Sequence, residues 1–358
     1  MREKCFVGFG WLAAALTALA LAAAPLGAAA APAPAAAAKP AAKSTAKAKS
    51  QRGVKAKATR SKAVSGKGIV FRKTARSVVP ARPSFGHLSG LQNVDDALDL
   101  KSSVALVVDQ DTNEVLFSKN PGAVLPIASI TKLMTAVVVT EAALPLDDVL
   151  TVVQDDVDAT AGSKSRLKLG TRLTRGEMLH LALMASENRA AHLLGRTYPG
   201  GMGSFVAAMN AKAQSLGMVD TRYVEPTGLS SDNQSSAQDL ARLVREAYQY
   251  PILRDLSTSV QASVPVGTRQ VQFSTTNGLV RNPEWDIGLQ KTGYISAAGR
   301  CLVMQAQLAG RKLIMVLLDS AGKYSRMGDA ERIRKWLASA PIVPSAVAAP
   351  AAQPAAER

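Results

Sequence analysis

The sequence predicts an α+β fold, with an antiparallel sheet assembled from strands at both ends of one domain and a helical region inserted between them. Three observations carry this. Strand-like apolar stretches occur early, in "SVALVVDQDTNEVLFSK" (residues 103–119), and again late, in "RQVQFST", "WDIGLQK" and "RCLVMQAQLAGRKLIMVLLD" (300–319). The interval between them is punctuated by helix-start signals rather than strand alternation. A hydrophobic content of 47% over 358 residues is enough to bury a real core.

Taken in order, residues 1–30 read as an export signal. Arg2 and Lys4 precede the apolar run "CFVGFGWLAAALTALALAAA", followed by Pro25 and small residues that supply Ala-x-Ala cleavage sites near Ala30. The run is also long enough for the alternative, an uncleaved inner-membrane anchor. Cleavage would remove Cys5 and leave only Cys301, so no disulfide could form within the mature chain.

Residues 31–85 are rich in Ala, Lys and Pro, with few large apolar side chains, and are expected to form a disordered, self-repelling linker. The net charge of +16 concentrates here: residues 39–82 hold fourteen Lys and Arg without one carboxylate. From Pro83 onward the chain carries only about +1, so the folded part is nearly neutral. The linker reads as a solvated spacer or as a tether to anionic envelope polymers. The export signal argues for the periplasm and against a nucleic-acid partner.

The domain proper is expected at 86–340. Two strands flank a turn at Asp111–Asn113, and a helix opens at Ser129. "TRGEMLHLALMAS" begins with a capping box formed by Thr174 and Glu177, and "GSFVAAMNAKAQSLG" ends at Gly217. "SAQDLARLVREAYQYP" repeats the capping pattern with Ser236 and Asp239 and stops at Pro251. The Ala309-Gly310 step suits a hairpin turn between the last two strands. "DAERIRKWLAS" reads as a closing amphipathic helix, and residues 341–358 as a disordered Ala/Pro tail.

Chemistry enters with "PIASITKLMTA" (126–136), where Ser129 and Lys132 stand at i and i+3, so one side chain can reach the other. A lysine that loses proton affinity through burial or a neighbouring cation can serve as base to a serine. The pattern alone is cheap, since "STAK", "SRLK" and "SAGK" also match it, and an N-cap serine beside a surface lysine would explain it. Order and spacing make it specific: "SEN" (Ser186–Asn188) and "KTG" (Lys291–Gly293) follow downstream. The three elements together form the signature of penicillin-recognising serine enzymes. A literal "SDN" at Ser231–Asn233 lies too close to Lys291 to be the middle element.

Over residues 100–340, "ASITKLMTA", "LMASENRAA", "MNAKAQSLGM", "VEPTGLS" and "KTGYISAAGRCLVM" resemble the D-alanyl-D-alanine peptidases among the low-molecular-weight penicillin-binding proteins, in particular the penicillin-binding protein seven type of endopeptidase. The resemblance implies a penicillin-binding protein/β-lactamase-like fold: a five-stranded antiparallel sheet flanked by helices, plus a helical subdomain. It implies peptidoglycan as substrate, β-lactams as covalent inhibitors and no cofactor or metal. Catalytic roles would fall to Ser129 as nucleophile, Lys132 as its base, Ser186 as proton relay and Asn188 as holder of Lys132 and the substrate amide. Lys291 would lower the neighbouring amine's proton affinity and attract a substrate carboxylate. Thr292 would bind that carboxylate, Gly293 completes the motif, and the backbone of Tyr294 would join Ser129 in an oxyanion hole.

The residue supply disfavours other chemistries. His87, His180 and His192 form no zinc spacing, and no phosphate loop is present. Three rival readings stay open: a D-alanyl-D-alanine carboxypeptidase, a β-lactamase using Glu225 as deacylating base, and a non-catalytic cell-wall scaffold. "SEN", the residues after "KTG" and the short tail favour the endopeptidase.

Overall fold

A computed structural model describes residues 82–339. The segments read as signal, most of the linker and the C-terminal tail lie outside the described residues. Ser84 and Phe85, at the end of the stretch assigned to the linker, are packed onto the domain: Ser84 caps helix α1 (Phe85–Leu88), and the Phe85 amide donates to the Ala297 carbonyl at 2.9 Å.

In chain order the strands are β1 (Ser102–Asp109), β2 (Val115–Lys119), β3 (Leu125–Pro126), β4 (Val149–Thr151), β5 (Arg172–Thr174), β6 (Gln234–Ser235), β7 (Gln261–Val266), β8 (Arg269–Ser274), β9 (Asp286–Ile295), β10 (Gly299–Leu308) and β11 (Arg311–Ser320). After α1 come helices α2 (Thr131–Glu141), α3 (Gln154–Asp158), α4 (Arg175–Met184), α5 (Asn188–Arg196), α6 (Gly201–Ser215), α7 (Ala237–Tyr248), α8 (Pro251–Thr258) and α9 (Ser325–Ser339). Five strands form one antiparallel sheet in the order β2-β1-β11-β10-β9, so the two ends of the domain meet at the β1–β11 seam. The other strands form three two-stranded pieces.

Strand alternation divides the core. Val104, Leu106, Val108, Ile314, Val316 and Leu318 pack with the helical region. Ala105, Val107, Met315 and Leu317 face Ala330 and Ile333 of α9 and Trp285. With both faces covered, β1 is buried along its whole length, and each large apolar side chain contributes about 2 kcal/mol. Asp329 of α9 accepts hydrogen bonds from the Ser102 amide at 2.8 Å and hydroxyl at 2.6 Å, which pins the last helix to the first strand.

The hairpin at Ala309-Gly310 forms as expected, both residues having positive φ (50° and 75°). Three local expectations are corrected. "RQVQFST" forms β8, yet it pairs with β7 in a separate hairpin instead of joining the sheet. Pro251 does not simply stop a helix: α7 ends at Tyr248, and Pro251, whose missing N–H costs nothing at a first turn, starts α8. The Thr174–Glu177 capping box is present, whereas Asp239 does not return a bond to Ser236; its carboxylate takes the Asp220 amide and the Thr221 hydroxyl, both at 2.8 Å.

Candidate active site

Ser129 is not a helix N-cap. It sits in a 3₁₀ turn, Ala128–Ile130, that feeds α2, and the preceding Ala128 has φ +49°. Two glycines let backbone press against this turn from opposite segments. A Cβ on Gly228 would lie 1.9 Å from the Ala128 carbonyl oxygen, and one on Gly293 would lie 3.0 Å from the Ser129 amide nitrogen. The strand carrying Lys291–Gly293 thereby runs directly beside the serine.

α2 is buried from Thr131 to Val139, and Lys132 has no exposed surface. Its Nζ lies 2.9 Å from Ser129 Oγ, 2.7 Å from Asn188 Oδ1 and 2.6 Å from the Thr227 carbonyl oxygen. Burial pulls its pKa from 10.5 down to about 7, against the opposing pull of the Glu225 and Glu187 carboxylates. Burial is therefore the cause, one of the two anticipated from the sequence. The neutral amine has two N–H donors and one lone pair. Asn188 Oδ1 and the Thr227 carbonyl can only accept, so they take both donors. The lone pair is left for the Ser129 hydroxyl proton.

Lys291, equally buried, donates to Ser186 Oγ at 2.9 Å and to the Thr292 carbonyl at 2.8 Å. Burial, with Lys132 and Arg326 as like charges, holds its pKa well below the usual lysine value. Ser186 links α4 to α5 with φ +60°, an uncommon conformation for a serine. The adjacent Glu187 is tied down by the Ser165 hydroxyl at 2.6 Å. Thr292 Oγ1 lies 2.6 Å from Thr276 Oγ1, and the Thr276 amide reaches the Met184 carbonyl, joining the strand to the end of α4. Tyr294, next along β9, is 54% exposed. The structure thus brings all three sequence elements to one cleft, as two contacting pairs: Ser129–Lys132 with Asn188, and Ser186–Lys291.

The sequence reading missed Arg326, Thr276 and the Thr227 carbonyl. Arg326 is buried, and its Nε and Nη1 have no hydrogen-bond partner among the described residues. The "SDN" triplet does not join the cleft as a motif. Its buried Asn233 holds the loop instead, receiving the Val224 amide at 2.7 Å and donating to Glu225 Oε1 at 2.8 Å. Glu225 is equally committed: Oε2 accepts from the Thr227 amide and hydroxyl, both at 2.6 Å, and Oε1 from the Gly228 amide at 2.6 Å. A carboxylate so occupied has little capacity left for a hydrolytic water.

The sequence profile of the D-alanyl-D-alanine carboxypeptidase family matches residues 91–322. A D-alanyl-D-alanine endopeptidase of Pseudomonas aeruginosa is 48% identical over 255 residues, which cover 71% of this chain and 82% of the relative. One from Escherichia coli is 46% identical over 253 residues, covering 70% and 82%. Among solved structures, a D-alanyl-D-alanine carboxypeptidase of Mycobacterium tuberculosis superposes with a TM-score of 0.62 at 25% identity, covering 68% of this chain and 94% of that one.

Proposed function

The chain belongs to the D-alanyl-D-alanine carboxypeptidase family and is a serine D-alanyl-D-alanine peptidase, and on that premise we propose that it is an endopeptidase that opens peptidoglycan crosslinks through an acyl-enzyme on Ser129. The observation that carries the site assignment is the three-way bonding of Lys132, whose free lone pair faces the serine hydroxyl. Ser129 Oγ attacks the D-alanyl carbonyl while Lys132 takes its proton. The carbonyl oxygen becomes an oxyanion against the backbone N–H groups of Ser129 and Tyr294. As the tetrahedral adduct collapses, the C–N bond breaks and the leaving amine needs a proton, which Ser186 relays with Lys291 behind it. Once the proton Lys132 took from Ser129 has moved on to make up the one that Ser186 and Lys291 lost to the leaving amine, water attacks the acyl ester with Lys132 again as base, the ester C–O bond breaks, and Lys132 returns the proton to Ser129 Oγ. Thr292, beside Lys291, binds the carboxylate on the leaving side. Asn188, occupied on Oδ1 by Lys132, offers its NH₂ to the substrate amide.

The endopeptidase preference rests on the two relatives of that name at 46–48% identity. The sequestered Glu225 carboxylate supports a peptidase over a β-lactamase, because it leaves no ready base for fast deacylation. Digestion of purified muropeptides, read by mass spectrometry, tests the assignment. Crosslinked dimers should become monomers, and pentapeptide monomers should change slowly. Release of D-alanine from monomers with dimers intact would make the enzyme a carboxypeptidase.

The protein acts in the periplasm, behind the export signal at residues 1–30, and the basic linker at 31–85 holds it to anionic envelope polymers. If a variant lacking residues 39–81 binds sacculi as tightly as full-length protein at low salt, the linker is a spacer only.

A further inference from the structure

A cavity of about 320 Å³ opens where β9 runs past Tyr294. One wall is the segment before β1, folded back over the sheet and fixed by the Phe85 amide on Ala297 and by His87 Nδ1 at 3.2 Å from Asp319 Oδ2. Gly86 and Gly299 admit this close fit, since a Cβ on either would strike the Asp319 carboxylate at 2.2 and 2.1 Å. The charged groups at the cavity are Arg82, Arg300, Lys323 and Asp319, with His87 beside them. Asp319 is spent internally: it is 1% exposed and also accepts from Ser103 Oγ at 2.9 Å. The cavity therefore presents cations.

Arg300 is its best-placed cation. It stands opposite Tyr294 in the β9–β10 register, and its guanidinium carbon lies 4.4 Å from the centre of the Tyr294 ring. Stacking fixes the side chain while leaving its N–H groups free; it makes no hydrogen bond or ion pair among the described residues. Its charge also reaches the site, lowering the proton affinity of Arg326.

The direction of the substrate says what comes here. β9 is the last strand of its sheet, and past Gln290, whose amide is taken by Ser257 Oγ of α8, its outer edge can pair with an extended peptide. With the leaving-side carboxylate at Thr292 and the oxyanion at the Tyr294 amide, the acyl half must run on past Tyr294 toward Arg300. Resting on the proposed reaction, we infer that this cavity is a subsite for a carboxylate on the acyl-side stem peptide, and that Arg300 is the specificity-determining residue that reads it.

The test compares substrates whose acyl-side stem carboxylates are free with the same substrates amidated, each as crosslinked dimers and as pentapeptide monomers. Because the acyl half is common to crosslink cleavage and terminal release, the comparison can be read on whichever substrate the wild type cuts. The wild type should prefer the free carboxylate by about tenfold in kcat/KM, the ratio expected of one charge-assisted contact. Arg300→Ala should bring the ratio to within about twofold of one, and Arg300→Lys should keep part of it; thermal unfolding establishes that both variants are folded. Equal cleavage of free and amidated substrate by the wild type overturns the subsite, and an undiminished preference in Arg300→Ala overturns the role of Arg300. Cleavage of monomers alone overturns the endopeptidase reading without touching the subsite.

Discussion

If Lys132 is the base, acylation must follow its titration. Only the neutral amine can take the Ser129 proton, so the second-order rate of acylation by a fluorescent penicillin should rise with pH and level off. With the amine at about 7, about a tenth of it is neutral at pH 6 and about nine tenths at pH 8, which gives a rise of about tenfold between them. Quenched labelling at constant ionic strength from pH 5.5 to 8.5 measures this limb. A second perturbation checks its cause. The Glu187 carboxylate favours the protonated amine, so Glu187→Gln, which can still accept from Ser165, should move the midpoint to lower pH. A rate that is flat over this range, a midpoint above 9, or an upward shift in Glu187→Gln would refute the assignment of the base.

Ser129→Ala should abolish covalent penicillin labelling while shifting stability by less than about 1 kcal/mol, since the residue is half-buried and, among the described residues, its hydroxyl hydrogen-bonds with Lys132 alone; equal labelling of the variant would remove Ser129 as nucleophile. Gly293→Ala should cut acylation by about tenfold, because a Cβ 3.0 Å from the Ser129 amide nitrogen makes the strand or the turn give way by a few tenths of an ångström; an unchanged rate means the strand approach is immaterial. Lys132→Met tests burial through linkage. Between pH 7 and about 10 the unfolded lysine holds a proton that the folded one has lost, so wild-type stability gains up to about 1.4 kcal/mol per pH unit from this group. The stability of Lys132→Met relative to wild type, measured by urea unfolding, should therefore be greatest near pH 7 and decline toward pH 9.5; a constant difference would argue against the depressed pKa.

The sequence was legible where chemistry and periodicity share the same residues. Ser129, Lys132, Ser186, Asn188 and Lys291, which the fold brings into contact, could be singled out as candidates because reactive side chains recur at set intervals, and the β10–β11 hairpin because Ala309-Gly310 separates two apolar runs. The acceptor that fixes Lys132 from below could not, since the Thr227 carbonyl belongs to the backbone and comes from 95 residues away. Arg326 carries no local mark either: it is one arginine in a basic helix, distinguished only by its burial. The separate β7–β8 hairpin was misjudged because strand pattern shows which residues alternate and says nothing about which strand they pair with.

Glu225 shows how much the fold decides beyond composition. In sequence it is an acid near a serine enzyme's motifs, and hence a candidate base. In the structure its two oxygens gather the amides of Thr227 and Gly228 and the side chain of Asn233, and that loop in turn presents the Thr227 carbonyl to Lys132. The carboxylate acts on the lysine in two opposing ways. Its negative charge favours the ammonium form. The loop it organises helps enclose the amine, and burial, the larger effect, favours the neutral form. The balance leaves Lys132 near neutrality, able to accept the serine proton and to return it. On Lys291, burial and two like charges, Lys132 and Arg326, all act against its proton. The two lysines are therefore not interchangeable. One is tuned beside Ser129 by opposing effects, while the other, bonded to Ser186, is drawn in one direction only.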